Sequence, residues 1–230
     1  MACLHLMREQ LDCAIYVDTG FSYPETRALV NYAASLLPIL HVVQSDRQGQ
    51  HEQMGIPADV VPIDWTEVGQ QITSPKPIRI QSYLGCCFAN ITLPLWAKAK
   101  ELGVTTLVMG QRNDEGYRSP ARDGTPCEGI TRLHPIEGWT AQHVLDYLET
   151  QMDVPAHYRF SAQTSLDCYD CTGYEREAHE RVAWMKATHP QAYAAYAMKH
   201  HALYTALQEA LQLALPDAAR VPPLRAEVNR

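Results

Sequence analysis

The chain has 230 residues, of which 46% are hydrophobic, and its formal net charge is −7. This length suffices for one α/β domain with a helical appendage, and the acidic balance argues against a general nucleic-acid or membrane-surface binder. No apolar run reaches the roughly 18 residues of a spanning helix, and the N-terminus does not resemble a signal peptide. Seven cysteines, two of them adjacent, favour reduced thiols that bind a metal centre over disulfides. We therefore expect a cytoplasmic protein without a membrane segment.

The first part of the chain alternates short apolar runs with helical patterns. A short apolar run such as Ala14–Val17 is typical of a parallel strand buried on both faces. Pro24 suits the first turn of a helix, and Glu25 beside it suits the positive end of the helix dipole. In chain order, the predictions are helix over 1–10, strand over 14–17, helix over 24–36, strand over 39–43, loop over 44–55, strand over 59–63 and irregular chain over 73–80.

The remaining elements follow the same alternation and then change to helix alone. The predictions are helix over 87–102 ended by Gly103, strand over 104–109, loop over 110–129, strand over 130–133, helix over 141–151 capped by Thr140, and helices over 175–215 broken at Pro190. Alternating strands and helices predict an α/β fold with a mostly parallel sheet flanked by helices. We expect a nucleotide-binding domain over 1–173 and a helical extension with a loosely ordered tail over 174–230.

Four cysteines fall into two tight groups. Cys86 and Cys87 are adjacent, and a C-x-x-C formed by Cys168 and Cys171 follows after eighty residues. Four thiolates are the ligands of a [4Fe–4S] cluster and also of a closed structural Zn²⁺ site. The adjacent pair is awkward for tetrahedral zinc but can bind different irons of one cluster. A third reading treats these cysteines as small buried apolar residues.

Polar residues follow two of the predicted strands, where open α/β sheets bind ligands. Asp18-Thr19-Gly20 ends the first strand, and such a triplet is often only a turn. Gly110, Arg112 and Arg118 lie in the loop after the strand at 104–109. Arginine forks suit sulfate or phosphate oxygens, although surface arginines are usually only solvated. Asp114 and Glu115 are expected either to pair with these arginines or to help hold Mg²⁺ beside a triphosphate.

The order and spacing of these motifs resemble the sulfonucleotide reductases, the adenylylsulfate (APS) and phosphoadenylylsulfate (PAPS) reductases. The matching segments are Asp18-Thr19-Gly20 with Pro24-Glu25-Thr26, Cys86-Cys87, Gly110 to Arg118, Pro135-Ile136 with Trp139-Thr140, and the C-x-x-C. The resemblance implies an adenine nucleotide alpha-hydrolase-like fold and a [4Fe–4S] cluster on Cys86, Cys87, Cys168 and Cys171. It also implies nucleotide contacts from Asp18-Thr19-Gly20 and an anion clamp formed by Arg112 and Arg118.

Two features of that family are missing from the sequence. The family begins with a strand and a Ser-Gly-Gly-x-Asp-Ser loop whose amides cradle phosphate. We hypothesise that the chain starts too late to include them, and that it would then bind nucleotide poorly. The nucleophilic cysteine of a Glu-Cys-Gly-type motif is also missing, because no cysteine follows Cys171. Cys127 or a partner protein would have to supply a thiol.

Three functions remain open at this stage. The first is a reductase-like enzyme of sulfur metabolism that uses PAPS or APS and a thioredoxin-like donor. The second is an enzyme that splits ATP between the α- and β-phosphates to activate a substrate, such as a nucleic acid, for sulfur insertion. The third is a non-catalytic iron–sulfur or redox module that acts in a complex. We also expect a homo-oligomer.

Overall fold

The computed structural model describes residues 1–73, 77–115, 120–159, 168–175 and 178–215. Its strands pair in parallel in three places. The ladders join β1 (Ala14–Asp18) to β2 (Leu40–Gln44), β3 (Ile56–Ala58) to β4 (Ile80–Ser82), and β5 (Thr106–Val108) to β7 (Ile130–Leu133). A short strand, β6 (Pro126–Cys127), pairs antiparallel with the other edge of β7. The predicted α/β class with mostly parallel pairing is confirmed.

Helices connect the strands and then form the C-terminal region. Their bounds are Ala2–Met7 (α1), Pro24–Leu36 (α2), Arg47–Met54 (α3), Glu67–Ile72 (α4), Tyr83–Cys87 (α5), Leu93–Glu101 (α6), Ala141–Glu149 (α7), His179–Thr188 (α8) and Pro190–Ala214 (α9). A π-helical turn over Phe88–Thr92 joins α5 to α6. Tight 3₁₀ turns cover Arg8–Gln10, Ile63–Trp65 and Ala156–Arg159. No helix of the described residues is long and apolar enough to span a bilayer.

Local signals set several of these boundaries as predicted. Pro24 and Pro190 each begin a helix, where the absent N–H is not needed. Gly103 follows α6 with φ +68°, a left-handed conformation that favours glycine. Thr140 caps α7 by accepting a hydrogen bond from the backbone N–H of His143, whose side chain reaches back to the Thr140 N–H.

Several predictions along the chain are wrong, among them the loop over 110–129, which contains β6. The expected loop over 44–55 contains α3, because Asp46 caps it by accepting from the Gly49 N–H at 3.0 Å. The strand expected over 59–63 lies earlier, as β3. The strand β1 is half-buried along its whole length rather than buried on both faces, since among the described strands it pairs only with β2.

The C-terminal helices contribute to the same core as the sheet. Leu203 and Ala206 of α9 pack against Ala58 of β3 and Ile80 of β4. A second cluster joins Met185 of α8 and Tyr196 of α9 to Tyr23, at the start of α2. Both clusters lie next to the segments that carry the cysteine pairs. The C-terminal region therefore covers the part of the fold in which those cysteines meet.

Candidate functional site

The two cysteine pairs, distant in sequence, come together in the fold. Cys86 and Cys87 end α5, while Cys168 and Cys171 bracket a turn closed by a hydrogen bond from Cys171 N to Cys168 O at 3.2 Å. Burial, and then repulsion from the sulfurs of Cys171, Cys86 and Cys168, raises the pKa of Cys87 to about 12. Burial also raises the pKa of the Cys86 and Cys171 thiols. The seven cysteines, all among the described residues, form no disulfide.

Close packing holds the segment 168–175 against α5. Gly173 lies so near Tyr83 that a β-carbon on the glycine would stand 2.4 Å from the Tyr83 Cβ. The rings of Tyr83 and Tyr174 are 4.4 Å apart between centroids, and the Tyr174 side chain hydrogen-bonds Cys87. Thr172 donates from Oγ1 to the Pro57 carbonyl at 2.7 Å. These contacts fix the C-x-x-C turn relative to the adjacent cysteine pair.

Neutral polar groups surround Cys86. His51 of α3 places Nε2 3.1 Å from the Cys86 Sγ. Burial, followed by the charges of Lys199 and Arg47, lowers the pKa of His51 to about 3, so its imidazole is neutral near pH 7. Asn90, in the π-helical turn, donates to the Cys86 carbonyl at 2.9 Å. A π-turn often marks a functional position within a helix.

Buried cations stand beside the same cysteines. The Arg47 side chain is 2% exposed and donates from Nη2 to Asp170 Oδ1 at 2.7 Å, while Lys199 Nζ lies 2.9 Å from Asp170 Oδ2. Arg181 donates from Nη2 to the Cys171 carbonyl at 3.2 Å. The Nε of Arg47 and the Nη1 of Arg181 are buried without an acceptor. Arg47 and Lys199 thus share the carboxylate of Asp170, Arg181 lies beside Cys171, and the sequence analysis found none of these four residues.

The predicted nucleotide segment 18–20 reaches this group of cysteines. Thr19 is 3% exposed, and its Oγ1 lies 3.3 Å from the Cys168 Sγ. The Gly20 N–H donates to Asp18 Oδ1 at 2.8 Å, and Gly20 has φ +78°. The segment is therefore a turn at the carboxyl end of β1, and it also touches the C-x-x-C.

The loop after β5 has its own ion pairs. Gly110 is exposed just beyond the strand. Arg112 Nε lies 2.8 Å from Asp114 Oδ1, and its Nη1 lies 3.2 Å from Glu115 Oε1. The expectation that these carboxylates pair with arginine is thus confirmed for Arg112. Arg118 lies outside the described residues.

The described residues contain no group of three or more His, Cys, Asp or Glu arranged around one point that could hold a single metal ion. The sulfurs of the two cysteine pairs are nevertheless close enough to interact electrostatically.

The family model for the phosphoadenosine phosphosulfate reductase domain matches residues 1–174, which contain all four of these cysteines. The chain belongs to this family. Membership in the phosphoadenosine phosphosulfate reductase family agrees with the α/β fold and supports a nucleotide as ligand. No curated protein matches the chain.

Proposed function

We propose that this chain is a sulfonucleotide-reductase-like protein of sulfur metabolism that binds an adenine nucleotide beside a [4Fe–4S] cluster. Cys86, Cys87, Cys168 and Cys171 would be the ligands. The observation that carries the proposal is the convergence of the two pairs, which follows from the close packing of Gly173 and Tyr174 on Tyr83, in the helix that ends at Cys87. Thr19, 3.3 Å from Cys168, puts the predicted nucleotide segment next to them.

The residues around the thiols fit such a cluster. Four thiolates are its usual ligand set, and when bound it would supply a redox-active, negatively charged centre. Arg47 and Arg181 each keep a buried donor atom without an acceptor there, which suits an anionic neighbour. The adjacent pair favours a multi-iron cluster over the alternative of Zn²⁺, because neighbouring cysteines can bind different irons of one cluster.

The nucleotide would lie along the carboxyl ends of β1 and β5. Asp18, Thr19 and Gly20 would contact it from one strand, and Gly110, Arg112 and Arg118 from the other. A sulfate or phosphate group reaching Arg112 would compete with Asp114 and Glu115 for the guanidinium. A thiol from Cys127, or from a thioredoxin-like donor, would have to complete a reductase reaction.

Metal content tests the cluster. The full chain purified without oxygen should be brown, absorb broadly near 400 nm, and contain iron and acid-labile sulfide. Cys87→Ser and Cys171→Ser should lose most of both, whereas Cys13→Ser, at a cysteine outside the two pairs, should keep them. Stoichiometric zinc without sulfide in the wild type, or normal iron in both site variants, would contradict the proposal.

Two assays decide the reaction. Release of sulfite with thioredoxin, together with AMP from APS or adenosine 3′,5′-bisphosphate from PAPS, would establish reduction. The carboxylates of Asp114 and Glu115 beside Arg112 favour a second candidate, ATP activation for sulfur transfer, since Mg²⁺ prefers carboxylate and phosphate oxygens. Release of pyrophosphate from Mg²⁺-ATP would establish that reaction. Turnover in neither assay by a cluster-loaded chain would point to a redox module that acts in a complex.

A further inference from the structure

A lysine from the C-terminal helix α9 reaches into the cysteine site. Lys199 lies beyond the family-matched residues 1–174, yet its Nζ is 2.9 Å from Asp170 Oδ2. The other oxygen of Asp170 accepts from Arg47 at 2.7 Å. The side chains of Lys199, Asp170 and Arg47 are only 15%, 9% and 2% exposed. One carboxylate inside the C-x-x-C turn is therefore held between a cation from α3 and a cation from α9.

Packing on both sides of Lys199 holds α9 in this place. One turn further along the helix, Leu203 is buried against Ala58 and Ile80. On the preceding turn, the hydroxyl of Tyr196 donates to Glu175 Oε1 at 3.0 Å. Lys199 thus lies on a helix that apolar and polar contacts hold in place, and its side chain is not on a solvated surface.

We propose that α9 is an integral part of the cysteine site, in which Lys199 positions the Cys168–Cys171 turn through Asp170 and adds positive charge beside the thiolates. Lys199 is a positioning residue, since it acts through Asp170. The positioning follows from the contacts of the chain alone, whereas the charge compensation rests on the proposed function.

The electrostatics of the site give the reason for a lysine at this position. A cluster bound by four thiolates is anionic, and a buried anion is costly unless cations stand near it. Lys199, Arg47 and Arg181 all act electrostatically on Cys171. Asp170 accepts from both Arg47 and Lys199 and offsets part of their charge.

The positioning role of Lys199 is tested on the metal-free full chain by amide hydrogen exchange. Lys199→Met removes the charge but keeps much of the side-chain volume. Because hydrogen bonds to charged groups contribute about 1.5–3 kcal/mol, the segment 168–175 should exchange at least about tenfold faster in this variant. Lys199→Arg should stay near the wild type. Lys100→Met, the same change at an exposed lysine of α6, is the matched control.

The charge compensation by Lys199 is tested on the cluster-loaded protein by a dye-coupled redox titration. Loss of a cation destabilises the more negative reduced cluster, so Lys199→Met should lower its reduction potential, and Lys199→Arg should restore it. Lys100→Met should have no effect. If Lys199→Met does not fold, Lys199→Leu replaces it in both experiments, since leucine also lacks the charge and the donor.

The two experiments separate failure of this inference from failure of the proposed function. Unchanged exchange of 168–175 in a folded charge-free variant overturns the positioning role, whether or not the wild type holds iron. Faster exchange with an unchanged potential overturns the charge compensation. A wild type that binds neither iron nor sulfide refutes the proposed function and the charge compensation with it, and the exchange rates then decide the positioning role alone.

Discussion

Asp114 joins two parts of the candidate nucleotide edge. Its Oδ1 accepts from Arg112 Nε, and its Oδ2 accepts from the backbone N–H of Ala141 at 2.7 Å, at the start of α7. Burial alone would raise the pKa of Asp114, but the hydrogen bonds from Ala141 and Arg112 outweigh it and hold this pKa below its usual value. A carboxylate at a helix N-terminus also interacts favourably with the helix dipole. The ionised form of Asp114 therefore stabilises the fold.

Asp114→Asn should lower the free energy of unfolding at pH 7 by about 0.5–1 kcal/mol, a modest value because this side chain is 36% exposed. The folded-state pKa is depressed, so the stabilisation is fully present above the unfolded pKa of about 3.9 and is lost as pH falls through the folded pKa. Urea denaturation at pH 7 and again near pH 3 should show the difference between variant and wild type shrinking.

The matched control lies near the other end of the same helix. Asp146 is exposed close to the C-terminus of α7, where the dipole disfavours a negative charge. Asp146→Asn should be neutral or slightly stabilising at pH 7. Equal losses of unfolding free energy in the two variants would mean that the contacts of Asp114 do not contribute to stability.

The sequence identified some functional residues and missed others for a physical reason. Cys86, Cys87, Cys168 and Cys171 carry their chemistry and their spacing in the sequence, so they could be named as one group. Arg47 and Lys199 are ordinary basic residues in polar and helical stretches, and no local pattern marks them. Only the fold puts each beside Asp170. Among these residues only Asp170 could have been noticed in the sequence, because it is a carboxylate between two candidate cysteine ligands.

The helix that carries Cys86 and Cys87 was predicted, but its start and its irregularity were not. It begins four residues earlier than predicted, at Tyr83, and contains the π-helical turn Phe88–Thr92. Gly85 weakens the helical pattern ahead of the cysteines. The π-turn accompanies the hydrogen bond from Asn90 to the Cys86 carbonyl, and sequence periodicity does not reveal such a contact.

Gly173→Ala tests how closely the C-x-x-C segment is packed on α5. The new methyl group would lie 2.4 Å from the Tyr83 Cβ, an atom that cannot move without its backbone. Overpacking of this kind costs about 1–3 kcal/mol. We expect that loss in urea denaturation of the metal-free chain, and less iron after anaerobic reconstitution, because the two cysteine pairs would be pushed apart.

Gly85→Ala, on the same helix, is the matched control. A β-carbon there meets no atom within 4 Å, and Gly85 lies inside α5. Alanine in place of a helical glycine should stabilise the chain by roughly 0.5–1 kcal/mol and leave the iron content unchanged. A Gly173→Ala chain as stable as the wild type would show that the segment does not pack against Tyr83 in solution.

For the whole molecule, the alternation of strands and helices predicted the fold class. The division of the strands into separate ladders could not be predicted from the sequence. The predicted sheet divides into three ladders, because several strands are only three residues long and pair over that length alone. The apolar positions of the C-terminal helices were predicted to be packing residues. Their partners were not, since Leu203 meets Ala58 and Ile80 across more than a hundred residues of sequence.

This packing predicts that α9 and the α/β region unfold together. Leu203 is 5% exposed between α9 and the β3–β4 ladder. Leu203→Ala should lower the free energy of unfolding by about 2–5 kcal/mol, through lost burial and the cavity left behind. Urea unfolding followed by far-ultraviolet circular dichroism and by tryptophan fluorescence should give coincident curves, both shifted to lower urea.

Leu213→Ala makes the same change on the same helix at a side chain that is 79% exposed. It should alter stability by no more than about 0.5 kcal/mol, because little apolar surface is lost from the core. An early helical transition in Leu203→Ala, with the fluorescence curve left in place, would show that α9 unfolds separately. A shared shift instead means that α9, which carries Leu203 and Lys199, unfolds in one cooperative transition with the region that holds the C-x-x-C turn.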